Sequence, residues 1–212
     1  MGADRAGREG RKLNDDRGFG ASSGAFAPID SEIRQKSQDV LDYWFDEVGP
    51  SRWWKKDPEL DAEIKEKWGA LRREVLKSDG DVWRGGPRRI LAAVIMLDQF
   101  SRNIHRGKAK AFEGDALARR LTRRAIAKEW DKRMTVEQRR MLYMPLMHSE
   151  DMDDQDESVR LFDALSEESH SKFAHLHRQQ IEDFGRFPGR NKALGRESTP
   201  EELIALEGGA AF

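Results

Sequence analysis

Three polar strings in the 212-residue chain carry the side chains that chemistry needs. His148-Ser149-Glu150-Asp151 follows directly on the apolar residues Leu142, Tyr143, Met144, Leu146 and Met147, so ionisable groups begin where a core-facing segment ends. Read as one continuous helix, this stretch puts His148 and Asp151 on a shared face, with Glu150 and Asp154 on a neighbouring one. Imidazole and carboxylate at that spacing can orient one another for general acid/base work or supply part of a metal shell. A second histidine, His177, lies on an apolar helical face with Phe173, Ile181 and Phe184, where it needs a partner. That partner is a carbonyl or a carboxylate such as Asp151 if the residue is structural, and the same site if it is functional. The spacings match no strong metal signature such as His-Glu-x-x-His, and neither a metal nor a cofactor is assigned.

The second string is Asp98 to Arg106. Asp98 and Arg102 are four apart on the side of Leu91 and Ile95, which predicts a partly buried ion pair with Asn103, His105 and Arg106 at the same helix end. One reading is a pair that fixes helix register; the other is an anion or substrate site. In the third string, Arg186, Arg190 and Asn191 share the Gly- and Pro-rich loop 185–191, and Arg196 follows. Glycine lets backbone approach a ligand closely, and arginine grips carboxylate or phosphate through two parallel bonds. Equally, these arginines can clasp the acidic stretch 150–156 and lock the C-terminal loop to the core.

The elements that must position these strings are helical. Val40, Leu41, Trp44 and Phe45 form a stripe that stops near Gly49-Pro50. Asp57-Pro58 is an N-cap followed by a proline at the first helical position, and Leu60, Ile64, Trp68, Leu71 and Val75 mark the inner face of the helix it opens. Further helices run from near Pro87 to Gly107, through Leu117, Leu121, Ala125 and Ile126, from the capping box Thr135-Gln138, and over about 168–184. Pro145 predicts a kink before His148, with helix continuing through Val159, Phe162 and Leu165. Thr199-Pro200-Glu201-Glu202 caps a short last helix. Trp44, Trp53, Trp54 and Trp68 read as core packing, although Trp53-Trp54 can also wall a cleft. No run alternates as a strand does, so the expected class is all-α, with short loops implying antiparallel helical hairpins in a stack or bundle.

Composition narrows the partners. Charged residues make up 36% of the chain, yet 38 Lys and Arg nearly cancel 39 Asp and Glu, so no net field favours nucleic acid or an anionic membrane. The longest apolar run, Ile90 to Leu97, falls far short of a membrane span of roughly 20 residues. Without cysteine there is no disulfide, thiolate or thiol redox chemistry. Residues 1–30 are rich in Gly, Ser, Arg and Asp, which predicts a disordered tail before a single domain over 31–212. The tail lacks a secretory hydrophobic segment, and cytoplasm is the default expectation.

Taken together, the motifs identify a resemblance. Leu97-Asp98-Gln99-Phe100-Ser101-Arg102-Asn103-Ile104, His148-Ser149-Glu150-Asp151 and His177-Arg178 leading to 185–191 resemble the domain-of-unknown-function family 924. So do Leu194-Gly195-Arg196, 198–202, 41–45 and 53–58, and the resemblance covers about residue 38 to the end. Ser101 stands where the family often has proline, and Gly189 where histidine is frequent. The resemblance implies an all-α, tetratricopeptide-like right-handed stack and no settled activity, substrate or cofactor. Two functions of different class follow. One is a binding or scaffold domain whose polar cleft takes a peptide or small anionic ligand, using Asp98, Arg102, Asn103, Arg186, Arg190 and Asn191. The other is a hydrolase or lyase of a small anionic substrate, with His148, Glu150, Asp151 and His177 as the acid/base set and Arg102, Arg186 and Arg190 as an anion clamp.

Overall fold

The computed structural model describes residues 26–165 and 168–209, with side chains from residue 30 onward except 166–170. Most of the tail expected over 1–30 therefore lies outside the described residues. The protein is all-α, and no strand occurs among the described residues. In chain order the helices are α1 (Phe26–Asp42), α2 (Pro50–Trp53), α3 (Pro58–Lys77), α4 (Pro87–Ile95), α5 (Ser101–Ile104), α6 (Asp115–Ala127), α7 (Val136–Met147), α8 (Met152–Asp163), α9 (Glu168–Phe184), α10 (Asn191–Leu194) and α11 (Pro200–Glu207).

The organising element is α4. Every residue from Ile90 to Ser101 is buried, and α4 packs on α1, α6 and α7. A helix buried all round needs apolar side chains on every face, which Ile90-Leu91-Ala92-Ala93-Val94-Ile95 supplies. Its continuation, Met96–Phe100, widens into π-helix before α5. Such a bulge rotates the following side chains relative to the preceding turn and leaves backbone carbonyls short of partners. Here it carries Asp98 and Gln99 into the interior, where the Arg102 guanidinium donates to the Asp98 carbonyl at 3.1 Å. A second π segment, Tyr43–Val48, ends α1 and sets Trp44 against Trp53, their rings stacked 5.8 Å apart.

Local signals place most helix starts where the sequence expects them. Asp57 accepts from the Glu59 and Leu60 amides, and the capping boxes at Thr135/Gln138 and Thr199/Glu202 both form. Two boundaries differ from expectation. α1 already begins at Phe26, inside the tail expected over 1–30. Helix does not run through the His148 string: α7 ends at Met147, His148 caps it, and α8 starts afresh with Asp151 as its N-cap, accepting from the Asp154 amide. Pro145 stays inside α7, and the helix ends two residues later at Met147, directly before His148. The aspartate satisfies helix-start donors that would otherwise go unpaired, and this outweighs continuing one helix. α7, α8 and α9 then pack in sequence, so three consecutive helices form one wall of the molecule.

Candidate functional site

The break after Met147 decides the partner of His148. Its Nδ1 lies 2.8 Å from Asp98 Oδ1, fifty residues earlier in the chain, and not beside Asp151. Asp98 is fully buried and also accepts from Arg102 Nη1 at 3.0 Å and Gln99 Nε2 at 2.5 Å. Burial alone would push its carboxyl up, but Arg102 and His148 overcome that and hold it well below the usual carboxylate range. An ionised Asp98 fixes the proton of His148 on Nδ1, so Nε2 carries the lone pair. Burial, and then the Arg102 charge, lower the His148 pKa, which keeps the ring neutral at neutral pH.

Two further groups complete the polar floor. Arg102 is gripped by Asp115 through two bonds of 2.9 and 3.0 Å. Arg190, in the turn Pro188–Arg190 after α9, donates to the His148 carbonyl at 2.9 Å and is sandwiched between the Phe187 and Phe112 rings at 4.3 and 5.0 Å. Burial and the nearby Arg102 bring its pKa down to about 10, so it keeps its charge in an environment that disfavours a cation. His177 sits 6.0 Å from His148, ring centre to ring centre. Its Nδ1–H donates to the Phe173 carbonyl at 2.8 Å, as expected of a structural histidine, and burial depresses its pKa to about 3.

These groups line a cavity of about 720 Å³. Its apolar walls are Trp53, Trp54, Met144, Met147, Phe162 and Phe173. Six cationic side chains reach it: Lys55, Lys56, Arg102, Arg106, Arg140 and Arg190. No Asp or Glu lines it among the described residues; the balancing carboxylates Asp98, Asp115 and Asp61 stand behind the wall, with Asp61 bound to Arg106 and Asn103. Nor do three His, Cys, Asp or Glu side chains converge among the described residues as metal ligands would. The cavity thus combines several cations with apolar walls and no lining carboxylate among the described residues.

Of the ten residues singled out from sequence, His148, His177, Arg102, Asn103 and Arg190 line the cavity and Asp98 supports it from behind. The other four lie elsewhere. Asp151 caps α8. Glu150 accepts from Arg196 at 2.8 and 2.9 Å and from the Phe187 amide at 2.9 Å, and so is not an orienter of His148. Arg186 binds Glu202 at 2.6 and 2.9 Å, and Asn191 donates to Glu202 and Ser198, so neither belongs to an anion clamp. Only Arg196 with Glu150 forms the expected clasp on the acidic stretch, whereas Arg186 and Asn191 tie the loop to Glu202 of α11. The cations at Lys55, Lys56 and Arg140 had gone unassigned, and Arg106 had been placed only at the helix end beside Arg102. One signal for Arg140 was available: it precedes Met144, Met147 and His148 by four, seven and eight residues, which is one helical stripe.

The Arg186–Glu202 pair has a pH signature. The Arg186 ion pair and the Thr199 amide hold the Glu202 carboxyl down to about 2, against an ordinary value of 4.5. A depressed carboxyl contributes stability above its unfolded pKa and loses it as pH falls through the folded one. Glu202→Gln is therefore expected to lower stability at pH 6 and to narrow the gap in urea midpoint between pH 6 and pH 3. An unchanged gap would contradict this assignment.

The sequence matches the model of the family described as "Bacterial protein of unknown function (DUF924)" over residues 40–210. A search of curated proteins gave no match. The solved structure of a protein of unknown function, ATU0120, from Agrobacterium tumefaciens is similar, with 34% identity and a TM-score of 0.79 over 83% of this chain and 99% of that one.

Proposed function

Since the chain belongs to the DUF924 family, whose description assigns no activity, we propose from its own cavity that it is a binding domain for a small amphipathic anion. The observation that carries this is the composition of the wall: six cations and no carboxylate among the described lining residues, set in apolar and aromatic surface. A volume of about 720 Å³ suits a small molecule better than a folded partner or long peptide. The apolar walls exclude water from the ligand body, and the cations select the charged end. Arg190 is the best placed of these, because its Phe187 and Phe112 sandwich fixes it in position before the ligand arrives.

Isothermal titration with decanoate and with decanol tests this reading. Decanoate is expected to bind about tenfold tighter at low salt, a difference of about 1.4 kcal/mol. Added salt should narrow the difference, and so should Lys55→Glu with Lys56→Glu, two exposed residues at the rim. Equal affinity for the two, or binding of neither, would remove the anion-site reading.

A further inference from the structure

We propose that His148, oriented by Asp98, is a general base that activates water against an acyl ester whose acyl chain ends in a carboxylate. Arg190 receives the developing oxyanion. This rests on the anion-binding reading above and assigns that ligand a reaction.

The geometry that points to it lies around one ring atom. His148 Nδ1 is committed to Asp98 at 2.8 Å, while Nε2 makes no hydrogen bond among the described residues and belongs to a side chain that lines the cavity. The groups facing the imidazole are Asp98 from the π segment, Arg102 from α5, Arg190 from the turn after α9, and His177 from α9. Arg190 is tied to the His148 carbonyl through Nη1. Arg190 is thus anchored to the main chain of the residue that supplies the base, and its remaining donors make no protein hydrogen bond among the described residues.

The wall also fixes the type of reaction. Among the described residues it holds no hydroxyl, thiol or carboxylate side chain, so a covalent acyl intermediate of the serine or cysteine kind has no nucleophile. Water held at Nε2 is the attacker assigned here. His177, with a pKa of about 3, does not carry a proton at neutral pH and cannot serve as a separate acid. One imidazole must therefore act as base and then acid, which ester hydrolysis permits. The water oxygen bonds to the acyl carbon as its proton passes to Nε2, and the carbonyl electron pair moves onto oxygen beside Arg190. Collapse breaks the bond from acyl carbon to alkoxy oxygen, and the leaving alcohol takes the proton back from Nε2. The products are an alcohol and a new carboxylic acid, which ionises to the dicarboxylate and releases one proton to solvent, and no co-reactant besides water is consumed. The far carboxylate of the substrate meets the cations near the mouth, where Lys55 and Lys56 are exposed and Arg140 lies 4.5 Å over the Trp54 ring.

The test follows 4-nitrophenol release from mono-4-nitrophenyl suberate, with neutral 4-nitrophenyl octanoate as the comparison and suberate binding measured by calorimetry. The parent should hydrolyse the monoanion saturably, without a burst, and with kcat/KM about tenfold above the neutral ester. His148→Gln should lose about 100-fold in kcat while still binding suberate. Asp98→Asn, a positioning change, should lower kcat more than it raises KM. In the parent, kcat/KM should be level at neutral pH and fall as pH drops below the His148 pKa, which lies under the ordinary 6.5. Turnover no faster than buffer despite suberate binding would overturn the hydrolytic proposal alone. Parental turnover in His148→Gln would do the same, as would a pH-independent rate in the parent, a result that does not depend on any variant folding. Failure of the parent to bind suberate or decanoate would overturn the anion-site reading and this proposal together.

Discussion

Asp98→Ala is expected to lower the unfolding free energy by about 3 kcal/mol, read as a lower urea midpoint with an unchanged slope. Removing one partner of a buried charged network typically costs 3–5 kcal/mol, because the groups left behind are desolvated without compensation. Asp98 is fully buried and accepts from His148, Arg102 and Gln99. The loss belongs at the low end of that range, since Arg102 keeps its two bonds to Asp115. His148 fares worse: without the carboxylate its tautomer is no longer fixed, and the histidine ring signals of the variant should report both. A loss under about 1 kcal/mol would mean that Asp98 does not anchor the floor of the cavity.

Gly114→Ala should be nearly as damaging, although Gly114 is no functional side chain. A Cβ built there meets the Leu97 carbonyl oxygen at 2.7 Å and the Leu97 Cα at 3.3 Å. Those are backbone atoms of the π segment and cannot swing aside as a side chain can. Forcing a methyl group into a packed contact costs typically 1–3 kcal/mol, and about 2 kcal/mol or more is expected here. Asp115, the next residue, should also shift away from Arg102, so that decanoate binding weakens along with stability. A variant as stable as the parent would show that the start of α6 does not need this close approach.

How much of this was legible in the sequence differs between elements. The helices, the Asp57 N-cap and both capping boxes follow from local patterns, because each signal acts within four residues. Asp98, His148 and Arg190 stood out as unusual polar residues beside apolar stripes, but their pairing did not. His148 was matched to Asp151 because the string was read as continuous helix. The alternative was visible in Asp151-Met152-Asp153-Asp154, where an acceptor precedes an acidic first turn, a helix-start pattern. The contact that replaces it spans fifty residues and depends on a π bulge at Met96–Phe100, which leaves no mark in composition or periodicity. Gly114 was silent for a related reason. Its negative φ of −87° suits any residue, and its requirement comes from a chain segment seventeen positions away.

The cations show a different limit. Arg186, Arg190 and Arg196 share one loop and one chemistry, yet only Arg190 reaches the cavity, while Arg186 and Arg196 are spent on Glu202 and Glu150. Net charge near zero concealed this sorting, since the carboxylates that balance the cavity cations stand behind its wall rather than in it. The chain thus presents a locally cationic surface within a neutral protein, which neither total charge nor loop composition reveals.

In the proposed site an anionic ligand enters the cavity against His148 Nε2 while Asp98 holds Nδ1. Nitrogen-15 spectra of histidine-labelled protein address it most directly, because the chain has only five histidines and the ring nitrogens report tautomer and contact separately. In the free protein at pH 7.5, His148 is expected to be neutral with its proton on Nδ1. Titrating decanoate should then shift its Nε2 resonance and leave exposed His175, paired with Asp163 on the outside of α9, unmoved. A His148 with its proton on Nε2, or a spectrum that decanoate does not change, would contradict the account.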